Sequence, residues 1–273
     1  MKFPNQLQVK EKWVYVRNKE DAGTAFAVMF DNIYGELNLR PNDIVLDAGA
    51  NIGTFSLAIA NQVKHVYALE PNAANYRVLH INLQINEITN VTPLPLALGG
   101  KEGFGKMIGR NASSHLVMDK AEPEVKVVTL DNLCSLLGIP YFDVIKMDIE
   151  GAESWVLNNQ QTLLGTREII LEAHGENALQ SVNMALSYAF VLRLVTPVEL
   201  FKLSVRSWKK VLPFYILGNI RMGLLDFRRY LTFFSRNLVS TIPTSCGGNF
   251  IVHARRRIYK ERNFQEQVKS DEV

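Results

Sequence analysis

A chain of 273 residues with a formal net charge of +3 can bury one sizeable core and still carry an appendage. Its 47% hydrophobic and 21% charged residues are ordinary for a folded globular protein and exclude a disordered or fibrous chain. Two cysteines, Cys134 and Cys246, with no C-x-x-C or Cys/His metal spacing, exclude a disulfide scaffold and a zinc module.

The opening residues MKFPNQLQVKEKW lack the apolar run of a signal peptide. No run of about 18 uncharged apolar residues suggests a membrane span. A reducing, cytoplasmic setting is the expectation. Residues 1–40 form an expected N-terminal cap, with a strand at Trp13–Val16 and a helix around Ala25–Leu37. Pro41-Asn42-Asp43 then breaks into the first core strand, Ile44-Val45-Leu46, which ends at Asp47. Gly49 and Gly53, within Asp47-Ala48-Gly49-Ala50-Asn51-Ile52-Gly53, predict a tight turn that lets main chain approach a ligand. A helix starting near Thr54 points its N–H groups at the same spot. A second apolar strand, Val66–Leu69, ends in Glu70-Pro71, with Glu70 placed 17 residues after Gly53. A carboxylate there can accept both hydroxyls of a ribose.

Further along, a helix is expected near Ala74–Asn86 and a strand over Val91–Leu98, distorted by Pro93 and Pro95. Gly99–Gly109 reads as a glycine-rich loop, followed by Ala112-Ser113-Ser114-His115. A short strand at Val125–Val128 leads to Thr129-Leu130-Asp131, where a helix begins. Strands are expected at Phe142–Met147 and Glu168–Leu171, a helix near Ala178–Tyr188, and strands near Phe190–Val195 and Asn249–His253. Such alternation implies a parallel sheet covered on both faces, with ligands at the carboxyl ends of its strands.

The nucleoside in that pocket follows from the loop chemistry. The dinucleotide fingerprint G-x-G-x-x-G supplies a third glycine that is absent here. Asp47 would repel a pyrophosphate, yet it suits the amino group of a methionine moiety or water held around it. Acid, glycine loop and acid together favour S-adenosylmethionine over NAD. The plainer alternative is a ligand-free strand–turn–helix in which Asp47 only caps a helix.

Other strand ends carry ionisable groups. Asp148 and Glu150 follow one strand in Lys146-Met147-Asp148-Ile149-Glu150-Gly151-Ala152-Glu153. Glu172 and His174 follow the next in Leu171-Glu172-Ala173-His174. With Glu153, five such groups converge on the cleft beside the cofactor. A solvated helix face is the plain alternative, but these acids directly follow apolar runs. Glu153 is the weakest of them, since it falls one turn into a helix. His115 reads equally well as a surface loop histidine.

The stretches VLDAGANIG, ALEPNAANYRVLHINLQIN, VVTLDNL and above all VIKMDIEGAE resemble the FkbM-type methyltransferases. The similarity covers roughly residues 40–175. It implies an S-adenosylmethionine-dependent fold, usually methylating a hydroxyl on a sugar or a polyketide-like product. It places Asp47, Gly49 and Gly53 at the methionine end, Glu70 on the ribose, and Asp148 and Glu150 near the transferred methyl group, with Asn51 and Pro71 among the expected cofactor contacts. Ala97-Leu98-Gly99-Gly100 stands where many class I enzymes carry an acid for adenine, so Ala97 and its apolar neighbours would support the base.

The implied fold is α/β: a Rossmann-like, doubly wound, mostly parallel seven-stranded sheet with a helical basic insertion before the last strand. Residues 41–196 and 245–260 would form the core, 197–244 the insertion and 261–273 a polar tail. Sulfonium chemistry leaves the protein to align an oxygen with the carbon–sulfur bond and to take up its proton. His174 and Glu172 are the first candidates for that base and Glu150 the third. Mg²⁺ held by Asp148, Glu172 and His174 is an alternative, not the expectation.

The insertion carries eight Lys or Arg against Glu199 and Asp226, a net of +6 that leaves the rest of the chain at −3. Leu217, Ile220, Leu224, Phe227, Leu231, Phe234 and Leu238 recur at spacings of 3 and 4, an apolar stripe on one long helix. That stripe suits packing on the protein's own core or a homodimer seam, and otherwise a membrane-surface helix. The expected acceptor is a small molecule or glycan; RNA methylation and non-catalytic nucleoside binding stay open as alternatives. Nucleic acid is not the expected partner, because an N-P-P-Y-like motif and catalytic cysteines are both missing.

Overall fold

A computed structural model describes residues 6–30, 32–108, 115–118, 125–157, 161–195 and 249–257. The chain opens with an antiparallel hairpin, β1 (Gln6–Val9) and β2 (Lys12–Tyr15). Helix α1 (Lys19–Ala25) follows and runs into a wide helical turn at Phe26–Phe30. The first core strand, β3 (Ile44–Ala48), leads through the glycine loop into α2 (Thr54–Ile59). Next come β4 (His65–Leu69), α3 (Ala73–Ile85), β5 (Val91–Leu94) and β6 (Leu96–Leu98). Strands β7 (Gly103–Ile108), β8 (His115–Met118) and β9 (Val125–Val128) precede α4 (Leu130–Leu137). The second half holds β10 (Val144–Met147), α5 (Glu153–Val156), β11 (Glu168–His174) and α6 (Glu176–Leu186). Strands β12 (Phe190–Leu194) and β13 (Asn249–Arg256) follow.

Seven strands form one sheet in the order β12-β13-β11-β10-β3-β4-β5, with β13 antiparallel to both its neighbours. The remaining pairings in that sheet are parallel. This is the doubly wound α/β sheet expected from the sequence. Alternate residues of each strand feed two separate cores. Val45, Val66, Val144 and Ile170 pack with Phe55, Leu79 and the N-terminal hairpin on one face. Leu46, Ile145, Met147 and Leu171 pack with Leu133, Val156 and Val182 on the other. The carboxyl ends of β3, β4, β10 and β11 therefore open side by side, where loop residues are free to face a ligand.

The hairpin is tied to α3 by asparagine side chains that act as a surrogate strand. Asn86 accepts from the Trp13 N–H at 2.9 Å and donates to the Trp13 carbonyl at 2.6 Å. Asn82 accepts from the Tyr15 N–H at 2.6 Å and donates to the Ile52 carbonyl at 2.8 Å. One buried amide thus joins the hairpin to the glycine loop.

Three elements differ from expectation. The helix expected around Ala25–Leu37 begins earlier, because the Asn18 side chain caps it by accepting from the Asp21 N–H. Val91–Leu98 is two strands: Pro95 has no N–H to continue the ladder, so β5 stays in the large sheet and β6 leaves it. Gly99–Gly109 is not wholly loop. Its Gly103–Ile108 stretch is β7 of a second sheet, β6-β9-β7-β8, pairing antiparallel with β9 and β8. The expected helix and basic charge of 197–244 and the tail at 261–273 lie outside the described residues, as do Ala112-Ser113-Ser114. Among the described residues, no helix is long and apolar enough to cross a membrane.

Candidate active site

The glycine loop is built by contacts that leave no room for side chains. Gly49 sits at φ 76°, and a Cβ on it would lie 1.8 Å from the Asp148 carbonyl oxygen. Its N–H and that of Ala50 both donate to the Leu69 carbonyl, at 3.0 and 2.8 Å, which fastens the loop to the end of β4. Gly53, at φ 87°, starts α2 and packs against Leu79, where a Cβ would come within 2.4 Å of a methyl carbon. Gly53 shapes the loop from behind rather than lining the cleft.

Glu70, directly after β4, is held in place by main-chain amides. One carboxylate oxygen accepts from the Asn51 N–H at 2.7 Å and the other from the Asn72 N–H at 2.8 Å. Burial pushes its pKa up to about 7 against these hydrogen bonds, which favour the charged form. Gly49, Asn51, Glu70, Pro71 and Ala97 line one cleft together with Leu69, Leu98, Met107 and Thr24. Apolar β6 and β7 side chains and the Glu70 carboxylate thus line one cleft.

Asp47 takes a different position from the one its sequence context suggests. It is fully buried and does not line the cleft. One oxygen accepts from the Ser56 hydroxyl at 2.7 Å, and the other pairs with the Lys146 ammonium at 3.2 Å. The register explains this, since Asp47 and Lys146 are direct neighbours on the parallel strands β3 and β10. Burial pulls the Lys146 pKa down, but Asp47 and Asp148 more than offset it, so the net shift is upward. Lys146 also donates to the Gly49 carbonyl at 2.7 Å and lies 5.6 Å from the Tyr34 ring centroid. The Tyr34 hydroxyl is itself pushed well above its usual pKa, first by burial and then by Asp148, Glu172 and Asp47. A buried polar row therefore runs beneath the loop.

On the other side of the cleft, Asp148 and Glu150 line the same space as Glu70. His174, at the end of β11, reaches both: its Nε2 lies 3.3 Å from a Glu150 oxygen and 3.9 Å from an Asp148 oxygen. Its Nδ1 lies 3.1 Å from Glu153. Burial alone would lower the His174 pKa, but the Glu153 hydrogen bond and charge, then Glu150 and Glu172, raise it to about 9. Burial raises Glu150 to about 7, opposed by His174 and reinforced by Asp148, Glu172 and Glu153. Glu172 is half-buried on the same face of β11 as His174 and adds to this field.

Among the described residues, the trio whose donor atoms come within 4.8 Å of one another is Asp148, Glu150 and His174. Glu150 therefore takes the place given to Glu172 in the sequence-based trio for Mg²⁺. Glu153, Glu150 and Glu172 favour a proton on His174, so a divalent cation at this trio would have to displace that proton.

A model of the methyltransferase FkbM domain matches residues 47–194, more than half of the chain. The chain belongs to the FkbM methyltransferase family. Among its relatives is the methyltransferase sdnD of Sordaria araneosa, 28% identical over 193 residues, which cover 56% of this chain and 74% of sdnD. The hexuronic acid methyltransferase AglP of Haloferax volcanii is 28% identical over 155 residues, covering 54% of this chain and 63% of AglP. The crystal structure of methyltransferase FkbM from Methylobacillus flagellatus aligns with a TM-score of 0.46 at 18% identity, covering 65% of this chain and 46% of that one. Membership in the family implies use of S-adenosylmethionine, and the cleft fits that group: an acid placed for a ribose, main chain bared by Gly49, and apolar cover at Leu98 and Met107.

Three residues of this site escape a reading of the sequence alone. Lys146 and Tyr34 form the buried polar row, and Thr24 reaches the cleft from α1. Glu153 is fully buried, not a helix-surface charge, and its partner is His174. The KMDIEGAE run holds the signal for Lys146 and Glu153, because it places charged residues at the end of an otherwise apolar strand.

Proposed function

We propose that this family member O-methylates a hydroxyl of a sugar, a glycolipid or another small metabolite. The observation that supports this reading is the shared cleft: Glu70 on one side and the Glu150–His174 pair on the other line or border one space. S-adenosylmethionine would lie with its ribose on Glu70 and its adenine against Ala97, Leu98 and Met107, and it supplies an already activated methyl group. The residues of the chain then orient the acceptor and handle one proton.

Glu150 is the proton acceptor in this proposal. A base works best when its pKa lies near the working pH, and that of Glu150 is about 7. His174, with a pKa of about 9, stays protonated and holds the Glu150 carboxylate by charge at 3.3 Å. As the acceptor oxygen bonds to the methyl carbon and the carbon–sulfur bond breaks, the hydroxyl proton passes to Glu150. The two groups titrate as a pair, so this order belongs to the pair rather than to either residue alone. It sets Glu150 ahead of Glu172 and His174 as the base. AglP, a relative named for hexuronic acid methylation, makes uronic-acid glycans the first acceptors to try.

Mass spectrometry of the purified protein with S-adenosylmethionine and a panel of uronic acids, neutral sugars, phenols and amines tests the reading. The expected result is the gain of one methyl mass on a hydroxyl acceptor, lost in Glu150→Gln. Tight cofactor binding with transfer only to nitrogen acceptors would overturn it.

A further inference from the structure

Glu153 has an unusual environment for a carboxylate. It is fully buried in α5, one turn beyond the strand end that carries Asp148 and Glu150. Its Oε1 accepts from the Ile149 and Gly151 N–H groups, each at 3.2 Å, and contacts the His174 Nδ1 at 3.1 Å. Its Oε2 is buried and has no hydrogen-bond partner among the described residues. An ionised carboxylate so placed is costly unless a cation compensates it, and His174 is its ion-pair partner.

The two main-chain amides flank Glu150, which sits at φ 54°, a left-handed conformation that non-glycine residues seldom adopt. One oxygen therefore closes the turn that aims Glu150 into the cleft and also fixes the ring that faces Glu150. We infer that Glu153 is a positioning residue that sets the geometry of the acceptor side: it holds a proton on His174 Nδ1, points Nε2 at Glu150 and Asp148, and pins the Ile149–Gly151 turn. The logic is that of a buried acid behind an imidazole, which dictates the tautomer and the ring orientation. It rests on the proposal that Glu150 and His174 serve the acceptor, but its geometry stands without that.

The groups facing His174 are Glu153 from α5, Asp148 and Glu150 from the turn after β10, and Glu172 from β11. Glu153 differs from the others because it engages Nδ1, whereas Asp148 and Glu150 lie at Nε2. Removing its charge therefore has a distinct signature. In contrast, loss of Glu150 would leave the Nδ1 proton in place.

Nitrogen-15 NMR of the histidine rings in the ligand-free protein tests this, with His174→Gln used to assign the signal. Above its titration, wild-type His174 is expected as the Nδ1–H tautomer, the opposite of the form that free imidazoles prefer. Glu153→Gln keeps an oxygen for the two turn amides but loses the charge. Its His174 midpoint should fall by at least one pH unit, while a Glu150→Gln variant retains the Nδ1–H tautomer. A wild-type Nε2–H tautomer, or an unchanged midpoint in a folded Glu153→Gln protein, overturns the inference. If Glu153→Gln does not fold, the wild-type tautomer decides alone. No acceptor or methyl transfer enters these measurements, so a failed O-methylation reading would leave this result intact.

Discussion

On the cofactor side of the cleft a single carboxylate, Glu70, is held by two main-chain amides. On the acceptor side four acids surround one imidazole. The first arrangement depends on where the backbone goes, and its one charge waits for neutral donors such as ribose hydroxyls. The second depends on how charges balance one another, and in the proposed reaction it takes up a proton. In that proposal binding and chemistry fall to different physical devices across one cleft, joined underneath by Lys146 and Asp47.

This division predicts mutants that separate cleanly. The largest effect should come from Glu150→Gln, lowering kcat about 10²–10⁴-fold while the cofactor Kd stays within error. Single-turnover kinetics beside calorimetry reads both, and a parallel loss of cofactor affinity would break the comparison. Lys146→Met probes the joint between the sides. It leaves Asp47 buried without its cation, which should cost roughly 3–5 kcal/mol of stability in a denaturant titration. An unchanged unfolding midpoint would mean that the polar row contributes little.

Glu70→Ala comes next. Loss of the ribose contact should weaken S-adenosylhomocysteine binding by about 1.5–3 kcal/mol, measured by calorimetry. Equal affinity in that variant would remove Glu70 from the cofactor site. The smallest effect concerns pH. Ribose hydroxyls donate to the ionised form, and the free carboxylate titrates near about 7. Below that value Glu70 is protonated, so affinity should rise roughly tenfold between pH 6 and pH 8 and be flat in Glu70→Gln. A slope of the opposite sign would show that the neutral acid binds.

The same division governs what the sequence discloses. Gly49 and Glu70 are readable in advance, because a left-handed turn and a carboxylate after a strand demand particular residue types. Glu153 is named in advance only as the weakest group at the cleft, since burial of a helix acid depends on what packs over it, and that is His174 from a distant strand. Lys146 needs the register of β10 against β3 before its partner appears. The glycines around β7 suggest loop, yet pairing with β8 and β9 overrides them. Asp47 lies inside β3, one residue before its end, and its charge is used internally.

The position of β13 also constrains the order of assembly. It lies between β11 and β12, and β12 has its ladder partner in the seven-stranded sheet only through β13. A nascent chain released only as far as Leu194 would hold the whole cleft and the strand ends that bear Glu150 and His174, yet β12 could not join the sheet. About fifty residues separate Leu194 from Asn249 in the sequence, and bringing strands so far apart together costs entropy before Asn249–Arg256 can pair. Folding of this sheet should therefore finish from its edge inward, with the last strand acting as a wedge that locks β11 and β12 together.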